Sequence, residues 1–178
     1  ALERMDNPGE VGPRGDAAPR EDAGAGGDAG AGGDAECVGR FLAPDPRVRL
    51  GLLLGRNRIA TSCVDLSDGL ADAVRQVATG SRVGASIEAD ALPVPPAARA
   101  ILERHRGASW LETAISGGED YELLFTVPPR RRRALASVLQ QAEGLPCTRI
   151  GTITAGRRLL LARNGGCVPL PSGFAHFR

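Results

Sequence analysis

The chain changes character abruptly near residue 39, and this change limits which part of it can form a hydrophobic core. Residues 1–39 contain ten glycines, many Ala and Asp, and almost no large apolar side chain. The unit Asp-Ala-Gly-Ala-Gly-Gly occurs at 22–27 and again at 28–33. Such a segment cannot bury enough apolar surface to offset a chain entropy of roughly 1–2 kcal/mol per residue. We therefore expect residues 1–39 to be a disordered linker and residues 40–178 to form one domain.

The charge changes at the same boundary. Residues 1–39 carry nine acids and three Arg, a net charge of −6, whereas residues 40–178 carry nineteen Arg and twelve acids, a net charge of +7. A cationic domain suits anionic ligands such as phosphates, and it could also suit nucleic acid. All 22 basic residues are Arg. The absence of Lys excludes a Walker-type phosphate loop, which requires the sequence Gly-Lys-Ser/Thr.

The cysteines and the apolar segments indicate an intracellular protein. Neither the four Cys nor the two His have the spacing of zinc ligands, and Cys63 and Cys147 lie in apolar runs typical of small core residues. We expect reduced thiols, a cytoplasmic location and no membrane partner, because no apolar stretch approaches membrane-spanning length and no signal-peptide pattern occurs. The first residue is Ala rather than Met, so we expect the chain to begin partway through a longer product.

Helical and strand patterns alternate through the predicted domain. Apolar runs predict strands at 59–66, 83–89, 121–127, 147–153 and 158–162. Helical spacing with Pro, Ser and Gly boundaries predicts helices at 47–54, from Ser67 to Gly80, from Pro95 to near Gly107, and from Pro129 to Gly144. This order predicts a layered α/β or α+β domain.

The first acidic run, Asp65-Leu66-Ser67-Asp68-Gly69, lies where a predicted strand ends and a predicted helix begins. A helix N-terminus offers unpaired N–H groups and the positive end of the helix dipole, which together bind anions. Asp65 and Asp68 could hold a hard cation such as Mg²⁺ beside that anion, and Ser67 could hydrogen-bond a phosphate oxygen. The simpler alternative is that Ser67 caps the helix, with Asp68 in its first turn.

The second acidic run, Gly117-Gly118-Glu119-Asp120-Tyr121-Glu122, precedes the clearest strand pattern in the chain. Two glycines allow positive φ angles or a close approach of the backbone to a ligand. Three acids in four residues are unfavourable at a strand start unless a cation or a hydrogen-bond donor lies nearby. Glu119 could accept hydrogen bonds from a substrate amine or hydroxyl. The alternative is a polar turn with solvated acids.

Two further features have simple structural explanations. The four arginines at 130–133 suggest nucleic-acid binding, but no aromatic side chains are interleaved with them to stack on bases. We therefore expect a solvated helix face and no nucleic-acid partner. Near the C-terminus, Phe174 and His176 lie either in a tail that packs on the core or, for Phe174, against a flat ligand ring.

Taken together, these segments resemble the thiamine-monophosphate kinase family, within the superfamily of aminoimidazole-ribonucleotide-synthetase-like enzymes. The resemblance covers roughly residues 40–178 in the family's order, through segments 40–47, 60–70, 83–87, 91–93, 114–126, 150–151 and 173–177. The two acidic runs are the specific part, because sister enzymes such as selenophosphate synthetase share the architecture but not both runs.

The resemblance implies an enzyme that transfers the γ-phosphoryl group of ATP to thiamine monophosphate, giving thiamine diphosphate, with several Mg²⁺ ions. By position, Asp65 and Asp68 would be Mg²⁺ ligands and Ser67 an ATP contact. Glu119 would bind the thiamine part of the substrate, and Phe174 would pack on it. The implied fold is the family's C-terminal α/β/α domain, of the α+β class, and the implied assembly is a homodimer.

The chain departs from the family in one large respect. In the family an N-terminal domain comes first, and it carries most of the Mg²⁺ carboxylates and much of the nucleotide site. Here the expected linker stands in its place, so we expect the C-terminal half of the enzyme. The half could be a fragment, it could be completed by another chain, or it could be a non-catalytic ligand-binding or assembly module derived from that family.

Overall fold

The computed structural model describes residues 2–4, 29–104 and 109–173, which form six α-helices and seven strands. The helices are α1 (Ala29–Leu42), α2 (Val48–Arg56), α3 (Leu70–Ser81), α4 (Pro96–Arg104), α5 (Trp110–Ser116) and α6 (Arg132–Gln141). The strands are β1 (Leu2–Arg4), β2 (Ser62–Asp65), β3 (Gly84–Glu88), β4 (Leu123–Thr126), β5 (Gly151–Thr154), β6 (Leu159–Arg163) and β7 (Gly166–Pro169).

The strands form one mixed sheet with the order β2-β4-β1-β5-β3-β6-β7. The short strand β1 runs parallel to β4 on one side and to β5 on the other. The pairs β2–β4, β3–β5 and β6–β7 are antiparallel, and β3 pairs with β6 in parallel. Strand β2 therefore lies at one edge of the sheet, beside β4.

Helices cover both faces of the sheet. Neighbouring residues of a strand point to opposite faces, so adjacent side chains of one strand pack against different helices. Leu124 of β4 packs into a large cluster with residues of α3 and α5, whereas Phe125 packs into a second cluster with residues of α2 and α6. Full burial of one large apolar side chain contributes about 1.5–3 kcal/mol. The predicted layered α/β/α arrangement is confirmed.

Residues 1–39 differ in part from the expected disordered linker. Residues 2–4 form β1, and α1 begins at Ala29. The run of Ala and Gly forms a helix because Ala has the highest helix propensity and because small residues allow α1 to approach α4 closely. A Cβ added at Gly33 would lie 2.7 Å from the Cβ of Ala97. Residues 5–28 lie outside the described residues, and the division of the chain at residue 39 stays a prediction.

One of the two predicted core cysteines is not in the core. Cys63 is exposed, because it lies on β2, the strand at the edge of the described sheet. Cys147 is half-buried against the second cluster, and burial raises the pKa of its thiol. Among the described helices, none is both long and apolar enough to cross a membrane.

Candidate functional site

The two acidic runs meet at the edge of the sheet. Strands β2 and β4 pair in antiparallel register with Asp65 opposite Leu123, so the end of one strand lies beside the start of the other. The first acidic run therefore leaves the sheet at the point where the second acidic run enters it. The two runs are about fifty residues apart, so the sequence alone does not indicate that they are close in space.

Backbone hydrogen bonds continue between the two runs beyond the ends of the strands. The N–H of Leu66 donates to the carbonyl of Glu122 at 2.9 Å, and the N–H of Tyr121 donates to the carbonyl of Leu66 at 3.1 Å. The N–H of Glu119 donates to the carbonyl of Ser67 at 2.8 Å. These three bonds hold the backbones of the two acidic runs in a fixed position relative to one another.

The glycines of both runs are required by this close contact. Gly69 has a φ of 92°, and a Cβ at that position would lie 2.5 Å from the carbonyl oxygen of Gly117. A Cβ at Gly118 would lie 2.6 Å from the carbonyl oxygen of Ser67. Both values are shorter than any normal contact between carbon and oxygen, and both neighbours are backbone atoms that cannot turn aside. The sequence suggested a close approach of Gly117 and Gly118 to a ligand, whereas in the structure Gly118 lies against the backbone of the first acidic run.

Two residues of the second acidic run adopt left-handed backbone conformations that favour glycine. Glu119 has a φ of 68° and Tyr121 a φ of 50°. A non-glycine residue in this region costs on the order of 1–3 kcal/mol, and such residues concentrate at functional sites. Tyr121 is 43% exposed even though it is aromatic. The loop thus has the strained backbone that is common at binding sites.

The carboxylates of the site differ in their surroundings. Asp65 and Glu119 are exposed, whereas Asp68 is half-buried. Desolvation, followed by the negative charge of Glu122, raises the pKa of Asp120 from 3.8 to about 6. Asp120 is exposed as well, and with a pKa of about 6 it takes up a proton at a higher pH than an ordinary aspartate.

The start of α3 differs from the predicted one. The helix begins at Leu70 with Gly69 at its N-cap, and no side chain caps it, so the alternative in which Ser67 caps the helix is wrong. Ser67 and Asp68 lie in the turn before the helix, because Gly69 makes the sharp change of direction at positive φ. The acid in the first turn is Asp72. The side chains of Ser67 and Asp68 are therefore placed beside the helix N-terminus rather than within it.

Arg47 is a residue of the site that the sequence did not identify. It lies just before α2, and its guanidinium group binds the carboxylate of Glu122, which is 75 residues away in the sequence. The three acids within four residues already indicated a nearby cation. With 19 arginines available in the domain, the sequence could not indicate which one.

The C-terminal segment passes beside the two acidic runs. Ser116 Oγ donates to the carbonyl of Ser172 at 3.3 Å, and a Cβ added at Gly173 would lie 3.1 Å from the Cβ of Asp72. The described chain therefore ends between α5 and the first turn of α3. Phe174, predicted as a substrate contact, and His176 lie outside the described residues.

Comparison with protein families gives one match that covers most of the chain. The model of the family described as "AIR synthase related protein, C-terminal domain" matches residues 21–162. The match includes α1 and extends through β5 to most of β6.

Thiamine-monophosphate kinases are among the most similar proteins. The enzyme of Escherichia coli strain K12 is 39% identical over 142 residues, which are 79% of this chain and 42% of that protein. The crystal structure of thiamine-monophosphate kinase from Stenotrophomonas maltophilia K279a is 39% identical with a TM-score of 0.62, and the match covers 72% of this chain and 39% of that one. The structure of AaThiL complexed with AMPPCP and TMP is 29% identical with a TM-score of 0.64, over 82% of this chain and 42% of that one. The chain thus spans less than half the length of these relatives.

Proposed function

Because the chain belongs to the C-terminal domain family of AIR-synthase-related proteins, we propose that it forms the C-terminal half of a thiamine-monophosphate kinase. Together with an N-terminal domain, it would transfer the γ-phosphoryl group of ATP to thiamine monophosphate and release thiamine diphosphate. The observation that carries the proposal is the hydrogen-bonded pairing of the two acidic runs, which brings their carboxylates to one edge of the sheet. The names of the relatives support the choice of substrate.

Asp65 and Asp68 are the proposed Mg²⁺ ligands. Among the residues that the structure describes, no group of three or more His, Cys, Asp or Glu side chains could hold a metal ion. Mg²⁺, however, is usually bound by one or two carboxylates together with water and substrate phosphates. A carboxylate at the end of β2 and one in the turn before α3 would suit such a shared ion, which phosphates and water would complete. When bound, the ion would neutralise charge on the phosphates.

The remaining roles follow from position in the site. Ser67 would bind ATP beside the N-terminus of α3, where free backbone N–H groups favour an anion. Glu119 would bind the thiamine part of the acceptor, and Phe174 would pack on it. Phosphoryl transfer depends mainly on positioning and on charge stabilisation, with little covalent participation by the protein. A rigid pairing of two loops that present carboxylates supplies such positioning.

The proposal can be tested with Asp68→Asn in a two-part enzyme assay. The full chain is mixed with the N-terminal domain of the Escherichia coli relative, and ATP-dependent formation of thiamine diphosphate is measured. Removal of a metal ligand should lower activity at limiting Mg²⁺ by roughly tenfold or more, since even outer-shell partners of a metal contribute 10- to 100-fold. The thermal unfolding midpoint should stay near that of the unchanged chain.

Asp90→Asn is the matched control, because Asp90 is exposed in the short 3-10 turn after β3, and three strands separate β3 from β2 in the sheet. It should leave activity unchanged. Absence of thiamine diphosphate formation by the unchanged chain, with both parts folded, would contradict the proposed function. Unfolding of the Asp68→Asn variant would instead show that Asp68 is a structural residue.

A second candidate is a ligand-binding module without catalysis, which the coverage of only 42% of the relatives' length favours. Calorimetry separates the two candidates: such a module would bind thiamine monophosphate yet give no turnover when the N-terminal domain is added. The homodimer, the absence of a nucleic-acid partner and the cytoplasmic location stay predictions.

A further inference from the structure

The second acidic run is held by an ion pair that reaches across the fold. The Nε of Arg47 donates to Glu122 Oε2 at 2.9 Å, and the Nη2 of Arg47 donates to Glu122 Oε1 at 2.6 Å. The Nη1 of Arg47 also donates to Asp45 Oδ2 at 2.7 Å. Two parallel bonds between a guanidinium and a carboxylate are the strongest and most directional form of this interaction.

We propose that Arg47 is a positioning residue, which acts through Glu122 to hold the second acidic run in the conformation that binds the acceptor substrate. The inference rests on the proposed function, in which Glu119 contacts thiamine monophosphate. It adds a residue to the site that lies on a different element from the acidic runs.

The side chains of this ion pair are less exposed than those of an ordinary surface pair. The side chain of Arg47 is only 12% exposed, and that of Glu122 is 45% exposed. By contrast, the side chains of Arg49 and Glu143, which also form an ion pair, are 62% and 76% exposed. Exposed pairs contribute about 0–1 kcal/mol, whereas the guanidinium of Arg47 is held among protein atoms and makes two bonds to Glu122 in one fixed geometry.

The ion pair fixes Glu122 at its side chain, while a hydrogen bond fixes it at its main chain. The carbonyl of Glu122 accepts from Leu66 N–H at 2.9 Å, which ties it to the first acidic run. The left-handed conformations of Glu119 and Tyr121 persist only if the surrounding structure holds them. Anchoring Glu122 at two points restrains the C-terminal end of this strained segment.

The ion pair also changes the charge of the loop. Glu119, Asp120 and Glu122 would otherwise place three carboxylates within four residues. The hydrogen bond to Glu122 is the main cause that raises the pKa of Arg47, so its guanidinium stays charged at every relevant pH. With Glu122 bound to Arg47, the carboxylate of Glu119 is left to interact with a ligand.

Arg47→Ala tests the inference through a difference between two ligands. In the full chain mixed with the complementing N-terminal domain, calorimetry should show affinity for thiamine monophosphate lowered by about tenfold or more, as expected for loss of a charged hydrogen bond. Affinity for Mg-ATP should be unchanged, because Arg47 binds Glu122 of the second acidic run, whereas the proposed ATP and Mg²⁺ contacts belong to the first. Arg47→Lys, which keeps the charge but not the two-point geometry, should lie between Arg47→Ala and the unchanged chain.

Arg49→Ala is the matched control, since it removes a neighbouring arginine and its ion pair without altering the loop. It should bind both ligands like the unchanged chain. In a chain that already carries Glu122→Ala, adding Arg47→Ala should have no further effect, because Arg47 acts through Glu122. Normal binding by Arg47→Ala, or a full additional loss in the Glu122→Ala background, would overturn the inference.

Hydrogen exchange separates failure of the inference from failure of the proposed function. The amides of Glu119 and Tyr121 should exchange faster in Arg47→Ala, whereas amides in the core of α3 should keep their protection. If the unchanged chain does not bind thiamine monophosphate, the proposed function fails. The exchange rates of the two amides then test whether Arg47 positions the second acidic run. Unchanged exchange at both amides would then overturn the positioning role.

Discussion

Asp120 is the carboxyl group of the site whose ionisation is most disturbed. Its folded-state pKa of about 6 lies above the value of 3.8 for the free side chain. The folded state therefore takes up a proton at a higher pH than the unfolded state. Between about pH 6 and pH 3.8 the folded state binds more protons, so this residue's contribution to stability rises as the pH falls through that window.

We predict that Asp120→Asn raises the thermal unfolding midpoint at about pH 7, where the substitution removes a desolvated charge. The gain should disappear by about pH 3.5, where the carboxyl group is protonated in both states. Thermal unfolding without Mg²⁺ or nucleotide measures the difference, and Asp90→Asn controls for the general loss of one acid. A gain of equal size at both pH values would contradict the raised pKa.

At the level of single residues, the sequence selected candidate site residues, which stay predictions, and it did not select Arg47. Asp65, Asp68 and Glu119 could be selected because packing does not explain charged side chains at the ends of apolar strands, and Ser67 because it lies between the two aspartates. Arg47 could not be selected, because its partner depends on how α2 packs against the sheet. Likewise, the left-handed φ of Glu119 is imposed by its hydrogen bond to Ser67 and has no local sequence signal.

Helix α3 has a glycine near each end, and the two glycines have different roles. Gly69 at the start has a positive φ and lies against the backbone of Gly117, whereas Gly80 near the end has no atom within 4 Å of an added Cβ. The first glycine therefore serves the contact between the acidic runs. The second glycine only lowers helix propensity.

We predict opposite effects from the same substitution at these two positions. Gly69→Ala should destabilise the domain by about 1–3 kcal/mol, because a side chain at positive φ would also collide with a backbone oxygen. Gly80→Ala should stabilise it by about 0.5 kcal/mol, because Ala favours the helix. Urea unfolding measures both free energies. A neutral Gly69→Ala would show that the two acidic runs are not in close contact in solution.

Two of the elements that the sequence failed to predict are short. Strand β7 has four residues and is exposed along its whole length, so no alternation of apolar and polar residues marks it. Helix α5 has seven residues, which are too few to show a clear helical repeat of apolar side chains. By contrast, β3 and β6 were predicted to within one residue at each end, because both strands are rich in apolar residues that pack into the first cluster.

For the whole molecule, the continuity of the sheet depends on its shortest strand. In the described sheet, β2 and β4 form one side and β5, β3, β6 and β7 form the other, and β1 lies between them. Leu2 pairs with Thr126 on one side and with Gly151 on the other. The charge pattern and the Gly-rich composition of residues 1–39 gave no indication of such a strand, because its partners are all distant in sequence.

We predict that Glu3→Pro weakens the link between the two sides of the sheet. Proline has no N–H and is excluded from central strands, and a buried carbonyl left without its donor costs about 1–3 kcal/mol. The unfolding midpoint should fall, and the amides of β5 should exchange faster, because Glu3 pairs with Thr152. Glu3→Thr keeps the N–H and favours a strand, so it should match the unchanged chain. Equal midpoints and equal β5 exchange in both variants would mean that residues 2–4 do not occupy the centre of the sheet.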